Sequence, residues 1–301
     1  MELIYKTNNG FLFNGDSNNI FENDLFESLK ENINLIFTSP PFPLNKKKAY
    51  GNLTGEEYIE WLTQFGHLFK QLLTKDGSFV IELGNAWEKG QPTMSTLPLE
   101  ALLTLKKECK FYLCQEFIWF NPARLPSPAQ WVNIERIRVK DAFTRLWWFS
   151  NTPRPKANNR NILSEYSPSM KRLLKRKNYN SGLRPSEHRI GEKTFLKDNK
   201  GAIPPNVITI SNTSSKDPYL DYCKKHGYQY HPARMPVSLA EFFIEFLTEE
   251  EDIVFDPFAG SNITGLAAEN LNRKWYGVEK EKNYAISSIG RFENAKIVKK
   301  M

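Results

Sequence analysis

The chain is poor in cysteine and has no long apolar run, and each scarcity excludes a class of protein. Its three cysteines, Cys109, Cys114 and Cys223, are too few and too unevenly spaced for a disulfide framework, so free thiols in a reducing compartment are expected. No stretch approaches the ~20 consecutive apolar residues of a membrane helix. The start MELIYKTNNG lacks the charged and apolar regions of a signal peptide, so a cytoplasmic protein without a membrane association is expected. Metal-ligand patterns are also thin. Cys223, His226 and His231 lie close in sequence, but no second CxxC or HxxxH accompanies them, and no metal site is expected. There is no internal repeat.

What is present is enough apolar residue, 40% of the 301, to build a sizeable core in one large α/β domain or two modest ones. Charge is unevenly placed. From Arg154 to Lys200 there are 13 Lys and Arg against 4 Asp and Glu, whereas the whole chain has 41 against 34. All the excess positive charge therefore lies in one middle segment. That segment has few large apolar residues and no sustained periodicity, so alone it would bury little surface. Its position between two strongly patterned regions favours an inserted module that meets a polyanion, nucleic acid first, with a solvated insertion as the alternative.

The flanking regions alternate. INLIFT (33–38) and GSFVIELG (77–84) are short apolar runs consistent with buried strands, and between them Tyr58, Trp61, Leu62, Phe65, Leu68, Phe69 and Leu72 recur at helical spacing. A helix is expected near Leu97 to Lys107, with strands at Phe111 to Phe120 and around Arg145 to Ser150. After the basic segment come a helix at Val237 to Leu247, a strand at 252–257, a helix at Asn262 to Leu271, a strand at 274–279 and a closing helix. This alternation predicts an α/β fold with a doubly wound, mostly parallel sheet.

Two stretches carry chemistry. In DIVFDPFAGSNITGLAAE a buried strand ends at Asp256, a turn carries Gly260, and a helix starts after Ser261 and Asn262. Such a turn brings backbone N–H groups and a helix N-terminus up to a ligand. In the following KWYGVE, Glu279 falls at a strand end, where it can bind ribose hydroxyls, so a nucleoside-containing cofactor is expected. The second stretch is TSPPF. Its prolines fix φ and supply no N–H, leaving a stiff edge with free carbonyl acceptors just past a strand's C-terminal end. The Pro40 carbonyl and Ser39 hydroxyl suit the two N–H donors of a planar exocyclic amine, and Phe42 suits stacking on its ring.

TSPPF followed much later by FDPFAGSNITG resembles the S-adenosylmethionine-dependent DNA amino-methyltransferases, in the circularly permuted order where the catalytic motif precedes the cofactor motif. The chain is most similar to the cytosine-N4 branch, in particular the PvuII modification methylase group. SPPFPLNKKKAYGN, FNPARLPSPAQWVNIERIRVKDAFTRLWWFS, YCKKHGYQYHPARMP and DPFAGSNITG carry the likeness over nearly all of the chain outside the basic segment.

The resemblance implies a Rossmann-like methyltransferase domain formed by 1–150 and 231–301, with a target-recognition module at 151–230. It implies catalysis at Ser39, Pro40, Pro41 and Phe42, and S-adenosyl-L-methionine held by Asp256, Pro257, Phe258, Ala259, Gly260, Ser261 and Asn262. Glu279 would take the ribose, Asp16 of NGD would lie near the adenine, and His231 and Pro232 belong to a further cofactor-side motif. The expected substrate is cytosine N4 in double-stranded DNA, flipped from the helix. A partner restriction endonuclease is implied without a stable complex. Lys46, Lys47 and Lys48 are placed at the pocket mouth on phosphates, and Arg172, Arg176, Arg184 and Arg189 are candidates for reading bases or holding phosphates.

Adenine-N6 transfer on the same fold stays open, as does an inactive DNA-binding subunit or regulator. Cytosine-C5 transfer is disfavoured, because that family's nucleophilic cysteine follows a proline and none here does.

Overall fold

The computed structural model describes residues 1–42, 53, 55–212 and 217–298. Contacts divide the chain into two units, Met1–Ala157 with Asn206–Met301, and Asn158–Pro205.

The larger unit opens with a hairpin, β1 (Glu2–Lys6) and β2 (Gly10–Asn14), then a short helix α1 (Asp24–Ser28) and β3 (Ile33–Thr38). Next come α2 (Gly55–Leu72), β4 (Leu73–Leu83), α3 (Leu97–Lys107), β5 (Tyr112–Phe120) and β6 (Phe143–Ser150). The smaller unit holds α4 (Pro168–Arg176) and the short pair β7 (Gly182–Leu183) and β8 (Arg189–Ile190). The chain then returns through β9 (Val207–Thr209), α5 (Pro218–His226), α6 (Val237–Leu247), β10 (Ile253–Asp256), α7 (Ile263–Asn270), β11 (Lys274–Glu279), α8 (Lys282–Ser287) and β12 (Lys296–Ile297).

Ten strands form one sheet in the order β12-β1-β2-β11-β10-β3-β4-β6-β5-β9. From β2 to β4 the neighbours run parallel, and antiparallel pairs flank this centre. The central strands read as unbroken apolar runs (INLIF, IVF, FVI) because both of their faces are covered. One face packs against α2 and α3 through Tyr58, Leu62, Phe65, Phe69, Leu105 and Phe79. The other packs against α6 and α7 through Leu239, Phe243, Ile244 and Ala267. Each such large side chain contributes roughly 1.5–3 kcal/mol by leaving water. From the centre the chain winds outward in two directions, β3 to β4 and β10 to β11. The β3/β10 boundary is therefore a switch point, where crevices open beyond the strand ends.

Three features differ from the expected pattern. The N-terminal hairpin turns on Thr7, whose Oγ1 accepts the Gly10 N–H at 3.0 Å, a signal too short to stand out in periodicity. The polar stretches also yield α4 and α5. Each begins with a side-chain cap, Ser167 or Asp217, followed by proline, and α5 stops at Gly227 with φ +68°. The closing segment is the short α8, a 3-10 turn at Ser288–Arg291 and edge strand β12, rather than one helix.

In the smaller unit, Ser164 and Ala202 exchange two backbone hydrogen bonds of 2.9 Å that bring its ends together. Among its residues only Gly201 is fully buried. Among the described residues no helix is long and apolar enough to cross a membrane, and no group of three or more His, Cys, Asp and Glu is placed to hold a metal.

Candidate active site

At the switch point Asp256, the last residue of β10, is buried beside the end of β3. Its carboxylate accepts from Thr38 Oγ1 at 2.7 Å, Thr264 Oγ1 at 2.7 Å and the Phe258 N–H at 3.0 Å. Burial raises its pKa above the usual carboxylate value, against the pull of these three donors. One side chain thus ties the residue before Ser39 to the loop DPFAG and to the first turn of α7. Sequence positions 218 apart meet in a single hydrogen bond.

The loop itself is over-determined. Glu279 at the end of β11 takes the Gly260 N–H on Oε2 at 2.7 Å and the Glu281 N–H on Oε1 at 2.8 Å. Its burial, only partly offset by those donors, pushes its pKa up to about 7. Gly260 has φ +54°, which favours glycine, and a Cβ there would press on the His231 ring at 3.3 Å. Arg291 clasps the next residue, donating from Nε to the Ser261 carbonyl at 2.6 Å and from Nη2 to Ser261 Oγ at 3.0 Å. Gly15 and Asn14 bond the Glu279 carbonyl at 3.1 and 2.8 Å, which brings the NGD segment alongside.

These elements wall a cavity of about 880 Å³, within the ~300–1,000 Å³ range of pockets that enclose small ligands. Asp16, Ser39, Pro40, Pro41, Phe42, His231, Pro232, Asp256, Pro257, Phe258, Ala259, Gly260, Ser261 and Glu279 all line it. Asn262 does not. It is fully buried in the left-handed conformation (φ +57°), capping α7 through the Gly265 N–H at 3.1 Å and donating to the Tyr5 hydroxyl at 3.0 Å. Its side chain shapes the loop from behind rather than facing the cavity. Lys46, Lys47 and Lys48 lie outside the described residues.

Arg172, Arg176, Arg184 and Arg189 belong to the other unit. Arg172 and Arg176 are exposed one turn apart on α4 and Arg189 is exposed on β8. Arg184 is half-buried and donates to the Asn180 carbonyl at 2.7 Å, which ties it into its own hairpin.

Among the cavity residues that the sequence reading missed, three bear on the chemistry. Glu82, in β4 next to β3, is buried and accepts a hydrogen bond from the Ser39 hydroxyl. Burial raises its pKa to about 7, opposed by Ser39 and by the charge of Arg124. Its signal was a lone acid in the apolar run FVIEL. Arg124 also lines the cavity and anchors to the Phe143 carbonyl at 3.2 Å. Tyr58 packs against Trp61, which meets Phe258, and the buried Tyr58 hydroxyl in the cavity wall has no hydrogen-bond partner among the described residues. Phe42 lies against Gly84, where a Cβ would come 3.0 Å from its ring.

A family model described as DNA methylase matches residues 33–289, most of the chain. The chain belongs to the DNA methylase family. This methylase is 47% identical over 290 residues to the type II methyltransferase M.PvuII of Proteus hauseri, covering 96% of this chain and 85% of that one. A solved PvuII DNA methyltransferase, described as cytosine-N4-specific, superposes with a TM-score of 0.77 at 40% identity over 97% of the methylase and 89% of its own chain. A crystal structure of an M1.HpyAVI–SAM complex shares the fold, with a TM-score of 0.54 at 20% identity over 94% and 99% of the two chains.

The donor set suits S-adenosylmethionine. Glu279 keeps acceptor capacity on both oxygens beyond its two N–H partners, as a ribose diol requires, and the Tyr58 hydroxyl, without a partner among the described residues, offers a polar contact beside Trp61 and Phe258.

Proposed function

We propose that this methylase moves the methyl group of S-adenosyl-L-methionine to the exocyclic N4 of a cytosine flipped out of duplex DNA, marking a specific site against a cognate restriction endonuclease in the bacterial cytoplasm. The observation that carries the reading is the Ser39 hydroxyl, hydrogen-bonded to Glu82 at the wall of the cavity that also contains Gly260 and Glu279.

Glu279, the Phe258–Ser261 loop, Asp16 and the His231–Pro232 segment hold the cofactor. When bound, it supplies an electrophilic sulfonium methyl. The Pro40 carbonyl and Ser39 oxygen accept the two N–H bonds of the amine and draw them from the plane of the ring, which raises the nucleophilicity of N4. Phe42 stacks on the base and replaces part of the stacking that extrusion removes. Holding nucleophile and methyl in line removes much of the barrier.

Attack by N4 on the methyl would leave the S–CH3 bonding pair on sulfur, so the remaining charge to be removed is the proton on N4. The now acidic N4 proton passes to Ser39 while the Ser39 proton passes to Glu82. A carboxyl with pKa about 7 is matched to that task near neutral pH. No covalent enzyme intermediate is required.

Sequence choice belongs to the basic unit. Its 11 Lys and Arg against 4 Asp and Glu attract phosphates, and exposed guanidiniums at Arg172, Arg176 and Arg189 suit guanine edges or the backbone. Lys46, Lys47 and Lys48 serve phosphates beside the flipped nucleotide.

Mass spectrometry of nucleosides from treated DNA tests the reaction, with N4-methylcytosine expected. N6-methyladenine as the product would replace the base assignment, and absence of transfer from labelled cofactor would favour a binding subunit. A methylation map of DNA from expressing cells then gives the site.

A further inference from the structure

Residues 121–142, NPARLPSPAQWVNIERIRVKDA, join β5 to β6, whose ladder ends at the pair Phe120 and Phe143. Apart from one helical turn at Gln130–Ile134 it is irregular, and so long a connection between adjacent antiparallel strands is usually functional. It is tied down at its base. The Asn121 N–H donates to the Ala142 carbonyl at 2.8 Å, Lys140 Nζ to the Pro122 and Arg124 carbonyls at 3.1 and 3.3 Å, and Asn85 to Asp141 at 2.8 Å. Farther out the Arg138 guanidinium sits 3.4 Å from the centre of the Trp87 ring.

This fastened loop nevertheless presents apolar side chains to water. Leu125 is 79% exposed, Ile137 58% and Val139 87%. Single exposed apolar residues are ordinary. Here they alternate with cations in RIRVK, and the loop carries four Lys and Arg against two Asp and Glu, both acids being engaged within it or by Asn85. Cations beside apolar tips complement phosphates beside bases. Leu125 also directly follows Arg124, which lines the cavity and faces Glu82.

We propose that 121–142 faces the DNA duplex and that Leu125 enters the base stack in the space left by the extruded cytosine. The inference rests on the base-flipping reading above. Apolar side chains inserted between base steps compensate for the stacking given up, and a wedge one residue from the cavity wall stands where the vacated position must lie once the base is inside. Arg136, Arg138 and Lys140 supply positive charge along the flanking phosphates, with Arg138 held on Trp87 and Lys140 on the Pro122 and Arg124 carbonyls.

The test compares Leu125→Ala with the wild type on two duplexes bearing the mapped site. In one the target base is paired, and in the other it faces an abasic position, where extrusion costs less. Single-turnover methylation should fall about tenfold on the paired duplex and about twofold or less on the other, because only the first needs the wedge. The fluorescence rise of 2-aminopurine at the target position should fall in parallel. Cofactor affinity and thermal unfolding should not change, since the side chain is exposed. Equal losses on both duplexes, or none on either, would overturn the proposal. If the wild-type product is methyladenine, the base assignment fails, while the ratio between the two duplexes still judges Leu125.

Discussion

In the sheet unit Tyr5, Phe37, Phe79, Trp147 and Trp275 are fully buried, and Lys and Arg balance Asp and Glu at 30 each. In Asn158–Pro205 the lone buried residue is a glycine, and the balance is 11 against 4. On the function proposed above, the contrast follows from what each unit is asked to do. Moving a methyl group between two nucleophiles needs side chains held to within about half an ångström, which only packing and satisfied hydrogen bonds provide. Meeting a polyanion needs charge and reach, and its strength comes largely from released counterions rather than from a core.

The sharpest break in this comparison is to disable one unit and leave the other. Ser39→Ala and Glu82→Gln should each lower the methyl-transfer rate by about 10²–10⁴-fold while DNA affinity and cofactor affinity persist, as measured by single-turnover kinetics and equilibrium binding. Normal turnover in either would remove the proton path from the mechanism.

Next in size is an opposition between stability and activity with pH. Burial raises Glu82 and Glu279 from an ordinary 4.5 to about 7, so the folded state binds protons that the unfolded state has released. Unfolding free energy should therefore fall as pH rises from about 5 to 7, by up to about 3 kcal/mol per group. Methyl transfer should rise over the same window, because Glu82 must be ionised to accept a proton. Denaturant unfolding and rate profiles check the two slopes, and Glu82→Gln should flatten the rate profile while about halving the stability slope, the remainder being due to Glu279.

In the basic unit the effects are smaller and salt-dependent. Arg172→Ala and Arg176→Ala should each weaken DNA binding by about tenfold or less. A residue on phosphate should reduce the salt slope by about one, and a residue on a base should instead relax the target site. Cofactor binding should be untouched. The smallest change expected is Tyr58→Phe. Losing a buried hydroxyl that has no partner among the described residues should leave the apo protein as stable or slightly more so, while cofactor affinity drops a few-fold, about 1 kcal/mol by titration calorimetry. Unchanged affinity would reassign that hydroxyl to the target base.

Much of the sheet was legible because its physics is local. INLIF and IVF are buried on both faces, and Tyr58 to Leu72 repeat at helical spacing, so strand and helix declare themselves. SPPF and DPFAGS were readable for the same reason, since prolines and a positive-φ glycine constrain the backbone wherever they occur. Glu82 and Tyr58 were not, because their significance depends on neighbours far along the chain that no spacing reveals. Asn262 shows the converse. The motif marks its place in the loop, but only the fold shows that its side chain turns inward to Tyr5. In 158–205 the cap Ser167 and the proline after it were visible letters whose helix lacks the buried stripe by which helices are usually recognised.

The middle of the sheet has a consequence for how the enzyme is made. β10 and β11, from the last fifth of the chain, lie between β2 and β3, from its beginning. While the ribosome is still synthesising residues 151–250, the early strands have an unfilled slot between them, and neither Asp256 nor Glu279 yet exists. Pairings over such separations form slowly. On the role proposed for the basic segment, a nascent or truncated chain would display it to DNA before it has any capacity to methylate, which is completed only when the final strands enter the slot.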